Sequence, residues 1–211
     1  FSSFFIGSTV IAFGTSAPEM LTTFFVSLES KGSMVIGNVI GSNVANLSLV
    51  FGAMLLVVAL RKLKIQQDQS IQKNLLILLS SSVLVWVIIA IDPFNLISSL
   101  VLLISLVLVI MFWYRNGTSE GIQDEVATDT NKVSLKLFTS LGFLVFAAWL
   151  ITYGANLILN KFSLGQLFIG YTVLAIGTSL PEIAASVSLA LKGRYETVSG
   201  TLIGSNIFNG L

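Results

Sequence analysis

The chain has 211 residues, 55% of them hydrophobic and only 10% charged, with a net charge of +1 and a mean hydropathy of +0.92. Soluble domains carry roughly 25% charged residues, so this chain cannot cover a water-facing surface and reads as an integral membrane protein in a lipid bilayer. It has no cysteine, which excludes disulfides and thiolate metal sites, and no histidine, which removes the commonest general base and transition-metal ligand. Its 11 Lys and Arg are dispersed rather than gathered into a basic patch, so no nucleic-acid partner is expected.

Apolar runs long enough to cross a bilayer as helices fall at roughly 5–28, 34–60, 74–91, 96–114, 135–160 and 167–191, with a further one opening at 198. Trp113 and Tyr114 close the fourth run, where aromatic side chains anchor a helix at the interface. The segment 115–134 contains Glu120, Asp124, Glu125 and Asp129 but lacks the spacing and glycine of a calcium-binding EF-hand loop, and it reads as a solvated connector. The chain therefore divides into 1–114, a connector 115–134, and 135–211. A full apolar run precedes the motif of the second part, whereas only residues 1–4 stand in the matching place of the first. One helix is accordingly expected upstream, and the last run is expected to be truncated.

Loop charge sets an expected orientation. The loops at 61–73, 115–136 and 192–194 hold nine Lys and Arg, the opposite loops only Lys31 and Lys161, which places the 115–134 connector in the cytoplasm of a cell membrane.

The first and last parts contain the same stretch twice. Residues 5–46 align without a gap on residues 168–209 by adding 163, and 19 of the 42 positions are identical. The identities gather in Gly14-Thr15-Ser16-Ala17-Pro18-Glu19 and Gly41-Ser42-Asn43-Val44-Ala45-Asn46, repeated as Gly177-Thr178-Ser179-Leu180-Pro181-Glu182 and Gly204-Ser205-Asn206-Ile207-Phe208-Asn209. The second Glu-bearing span comes five helices after the first, so the copies cross the membrane in opposite senses. The expected fold class is all-α and polytopic, an inverted-topology repeat with broken helices at the midplane.

Glu19 and Glu182 are the only acids inside the spans, and no Lys or Arg lies at membrane depth to pair with them. An ionisable group there costs at least about 2.5 kcal/mol on insertion scales, so bound cations or protons must compensate it. Ala12, Thr15, Ser16 and Glu19 fall within two helical turns. Pro18 withholds a backbone donor and opposes the carbonyl four residues back, which predicts an opened helix near Gly14. Ser42 and Asn46 share one helix face, as do Ser205 and Asn209. Carbonyls, hydroxyls, amides and two carboxylates make an all-oxygen site suited to hard ions such as Na⁺ or Ca²⁺. The small residues Gly37 to Gly41 read as a close helix contact, and Asn43 and Asn206, off the Ser/Asn face, as helix–helix polar contacts.

With these motifs the sequence resembles the calcium/cation antiporter superfamily, the sodium/calcium exchanger family, in a prokaryotic-type form without a large regulatory loop. The resemblance covers nearly all of the chain. It implies ten transmembrane helices, of which this chain would hold the second into the eighth. It also implies that Thr15, Ser16, Glu19, Ser42, Asn46, Thr178, Ser179, Glu182, Ser205 and Asn209 line the ion sites, with backbone carbonyls of Ala12 and Ala175. Many exchangers place an Asp where Asn209 stands, so this chain retains two carboxylates.

The expected function is secondary exchange of Na⁺ for Ca²⁺ by alternating access, with proton- or K⁺-coupled exchange on the same fold as the alternative. No cofactor and no required protein partner are expected beyond the transported ions. An intramembrane enzyme built on Ser16 or Ser179 lacks any His, Cys or embedded Lys to activate the hydroxyl, and a passive channel lacks a filter sequence.

Overall fold

The computed structural model describes residues 2–62, 70–116 and 130–211. Among them there is no strand, and the helices are α1 (Ser3–Leu28), α2 (Gly32–Leu60), α3 (Ser70–Ile91), α4 (Leu96–Asn116), α5 (Thr130–Phe162), α6 (Gln166–Leu191) and α7 (Tyr195–Gly210). The first six are long and apolar enough to span a membrane. α4 leaves Leu100, Leu103, Ile104, Val107 and Leu108 exposed, an apolar face that only lipid or protein can solvate.

The described part of α5 already includes Thr130, five residues before the expected 135, and nothing between 130 and 141 breaks a helix. The acidic part of the expected connector, Glu120 to Asp129, lies outside the described residues, as do Leu63 and Lys64 of the basic turn. Trp113 corrects the sequence reading. It is no interfacial anchor but is buried, donating its Nε1–H to Asn74 Oδ1 of α3 at 2.9 Å and meeting Phe4 edge-on at 6.1 Å. A Trp with an internal partner for its N–H needs no headgroup layer.

The duplication is written into the backbone. α1 and α6 both pass through a wide π turn, Gly7–Ile11 and Gly170–Leu174, which correspond under the 163-residue shift. Both copies end their first helix alike. Ser30 and Gly193 take the left-handed conformation (φ 58° and 72°), and Lys31 and Arg194 donate N–H back to Val26 and Leu189 carbonyls. This is the Schellman stop. Gly193 accepts it without a Cβ penalty, whereas Ser30 does not.

The copies are crossed. α2 of the first packs on the start of α6, and α7 of the second packs on the start of α1. Glycines permit the approach: a Cβ at Gly41 would stand 2.7 Å from Ala175 Cβ, and one at Gly204 would stand 2.6 Å from Ala12 Cβ. The small-residue stretch is thus a close helix contact, as expected. Around these crossings three apolar clusters fill the interior. Val50, Met54 and Val58 meet Ala190, Val198 and Leu202; Phe4, Leu78 and Trp113 meet Ile203 and Ile207; Val26 and Met34 meet Ala155, Ile169 and Leu174. Lys31 ties the 29–31 turn to α5, its Nζ donating to Glu29 Oε2 and Asn156 Oδ1, both at 2.6 Å.

Candidate ion site

The two crossings bring the polar motifs face to face at mid-length of the helices. Ser16 Oγ of α1 donates to Glu182 Oε1 of α6 at 3.1 Å, and Ser179 Oγ of α6 donates to Glu19 Oε1 of α1 at the same 3.1 Å. Each carboxylate is therefore held by the hydroxyl of the other copy. Thr15 Oγ1 lies 3.3 Å from Ala12 O and 3.4 Å from Ser205 Oγ, and Thr178 Oγ1 donates to Leu174 O at 2.9 Å and to Ala175 O at 3.4 Å. The Ala12 and Ala175 carbonyls thus stand beside the threonines of their own motifs.

The local backbone differs from the expectation at one place. α1 continues as a regular helix from Ala12 through Pro18 to Leu28 and is not opened near Gly14; its irregular turn lies upstream at Gly7–Ile11. In α6 the helix does break, at Ser179 (φ −83°, ψ 4°), between Ala175–Thr178 and Leu180–Leu191. Pro181 then sits in the first turn of the new segment, where its missing N–H costs nothing.

Of the twelve expected residues, all but Thr15 are buried, and Thr15 is half-buried. The second carboxylate oxygens, Glu19 Oε2 and Glu182 Oε2, have no hydrogen-bond partner, nor do Ser42 Oγ and the side-chain amides of Asn46 and Asn209. Glu19, Ser42 and Asn209 line one cavity of about 370 Å³. A buried polar atom left unpaired costs about 1–3 kcal/mol, so a cluster of them in a uniquely packed interior calls for a ligand. The free acceptors are all oxygen, the chemistry of a hard cation.

The sequence reading did not single out three further buried polar groups, Thr22, Asn38 and Ser186, whose Oγ1, Oδ1 and Oγ are likewise unpartnered. Their signal was spacing. Thr22 and Ser186 lie one turn beyond Glu19 and Glu182, and Asn38 continues the Ser42/Asn46 face backward by four. Asn206, read as a packing contact, donates to Leu202 O at 2.7 Å within its own helix.

Inverted membrane repeats that meet in a buried polar cluster have the architecture of secondary transporters. Residues 1–115 and 133–211 match the model of the sodium/calcium exchanger protein family, and the chain belongs to that family. It is 34% identical to the uncharacterized membrane protein MJ0091 of Methanocaldococcus jannaschii over 98% of this chain and 67% of that one. It is 26% identical to the sodium/calcium exchanger MaX1 of Methanosarcina acetivorans, over 99% and 71%. The solved structure of a sodium/calcium exchanger from Methanococcus jannaschii superposes with a TM-score of 0.70 at 32% identity, covering 99% of this chain and 67% of that one. The chain spans about two thirds of the length of such relatives.

Proposed function

We propose that this protein is a secondary antiporter that exchanges Na⁺ for Ca²⁺ by alternating access. One observation carries the reading: two buried carboxylates, each held by a hydroxyl of the opposite repeat, keep their second oxygens free among unpaired Ser and Asn oxygens. With no cation-bearing side chain at that depth, the two carboxylates when ionised give the site a charge of about −2, which one Ca²⁺ neutralises. The ion ligands in this reading are Thr15, Ser16, Glu19, Ser42, Asn46, Thr178, Ser179, Glu182, Ser205 and Asn209, with the carbonyls of Ala12 and Ala175. The likeness to two sodium/calcium exchangers supports the choice of ions. Na⁺ and Ca²⁺ compete for the same oxygens, so each weakens binding of the other by the same factor.

A second reading on the same site couples Ca²⁺ to protons or K⁺, and Asn209 favours it, because an amide there leaves only two acids to balance several Na⁺. Ca²⁺ uptake by the full-length protein in proteoliposomes, under an outward Na⁺ gradient and at two imposed voltages, separates the two. The expected result is uptake that needs Na⁺ and, if more than two Na⁺ replace one Ca²⁺, responds to voltage. Uptake indifferent to Na⁺ but driven by a proton or K⁺ gradient moves the assignment to the second reading.

In the same proposal the protein lies in the cell membrane with the 115–134 loop and Arg61 inside, and Lys31 and Lys161 outside. Because the chain has no cysteine, single cysteines at 31 and 192 are clean probes. They should label from opposite faces of intact cells, 31 from outside; labelling of 192 from outside reverses the orientation.

A further inference from the structure

Asn38 lies on α2 one turn before Ser42 and two before Asn46, at four-residue intervals on one helix face. It is 1% exposed. Its Nδ2 is committed to α1, donating to Thr23 Oγ1 at 2.9 Å and reaching Glu19 O at 3.5 Å. That commitment leaves Oδ1 as the free end, and Oδ1 has no partner. Asn38 lines the cavity that also holds Glu19, Ser42 and Asn209. The corresponding residue of the second copy is Thr201, and it behaves differently: its hydroxyl closes onto Thr197 O at 2.9 Å within its own helix. The free amide oxygen of Asn38 therefore has no counterpart in the second repeat, where the Thr201 hydroxyl is turned onto its own helix and the hydroxyl of Ser186 is left unpartnered.

Because the repeats are inverted, an asymmetry between them is an asymmetry between the two sides of the membrane. α1 runs toward the 29–31 turn beyond Glu19, and α2 comes back from it, so Asn38 and Thr23 lie on the side of Glu19 that faces that turn. Thr201 lies on the side of Glu182 that faces the 192–194 turn.

We propose that Asn38 is a further cation-contacting residue of the exchange path, its amide oxygen receiving hard cations that enter from the 29–31 face and no others. This rests on the exchange reading above. An amide oxygen is an ordinary ligand for Ca²⁺ and Na⁺, and Asn38 adds it without adding charge. A purely structural Asn38, tying α1 to α2 through Thr23, would affect both faces alike.

The test uses the full-length protein in proteoliposomes, with half-saturating Ca²⁺ measured separately at the 29–31 face and at the opposite face. Asn38→Thr, which installs the solution of the second copy, should raise half-saturating Ca²⁺ about tenfold at the 29–31 face and change the other by less than about twofold. Thr201→Asn should lower it at the opposite face only. Equal shifts at both faces, shifts in opposite directions (a bias of the conformational equilibrium) or no shift each overturn the proposal. If Asn38→Thr does not fold, Thr201→Asn decides alone, and an unchanged opposite face then overturns the proposal. Wild-type vesicles that carry no Ca²⁺ under any ion gradient overturn the exchange reading and this inference with it, whereas sided constants unmoved in an active exchanger overturn this inference only.

Discussion

The two copies of the repeat carry the same Gly-Thr-Ser-x-Pro-Glu motif on different backbones. In the first, α1 winds through Pro18 without interruption; in the second, α6 stops at Thr178 and restarts at Leu180. Yet the Ser–Glu contacts are 3.1 Å in both directions. The position of the carboxylates is thus set by the crossing of the two copies rather than by whether the helix breaks. In both, proline denies a donor to the carbonyl four residues back, Gly14 or Gly177, but only α6 converts that loss into a break.

The strongest way to break the comparison is to remove one charge at a time. Glu19→Gln and Glu182→Gln each keep shape and hydrogen bonding but halve the charge opposing Ca²⁺, and each should reduce Ca²⁺ uptake to that of empty vesicles while the protein stays folded by size-exclusion chromatography. If one variant is silent and the other normal, the site is not shared. A smaller effect sharpens the crossing. Gly41→Ala places a Cβ 2.6 Å from Tyr171 O, and Gly204→Ala places one 2.6 Å from Ala12 Cβ. Each should destabilise the full-length protein by about 1–3 kcal/mol, the usual cost of overpacking. Gly14→Ala, where nothing lies within 4 Å, is the control. Thermal unfolding in detergent reads all three, and a large cost at one crossing with none at the other would mean the copies are not equivalently packed.

The sequence made the spans, the inverted repeat and the two embedded carboxylates readable, because each rests on a local signal: a run of apolar residues, a fixed shift of 163, an acid at membrane depth; the full ligand set rested on the family resemblance. Helix continuity at Pro18 was not readable, since the motif that breaks α6 is nearly the one that does not break α1, and the surrounding packing decides. Trp113 misled for a related reason. Its place at a span end suggested lipid headgroups, whereas its partner Asn74 is 39 residues away and only the fold joins them. Asn38 escaped notice because its duplicate is Thr201, so a search for identity between copies passed over it.

The crossing of the copies bears on how the protein is made. Glu19 meets Ser179 only after Ser179 has left the ribosome, about 150 residues after the end of α1 at Leu28. At about 5–20 residues per second that is a wait of roughly eight to thirty seconds. During it the α1–α2 hairpin sits with a carboxylate at bilayer depth and its glycine seam unfilled. A hairpin in that condition bears the cost of its embedded acid alone, at least about 2.5 kcal/mol on insertion scales, until α6 arrives.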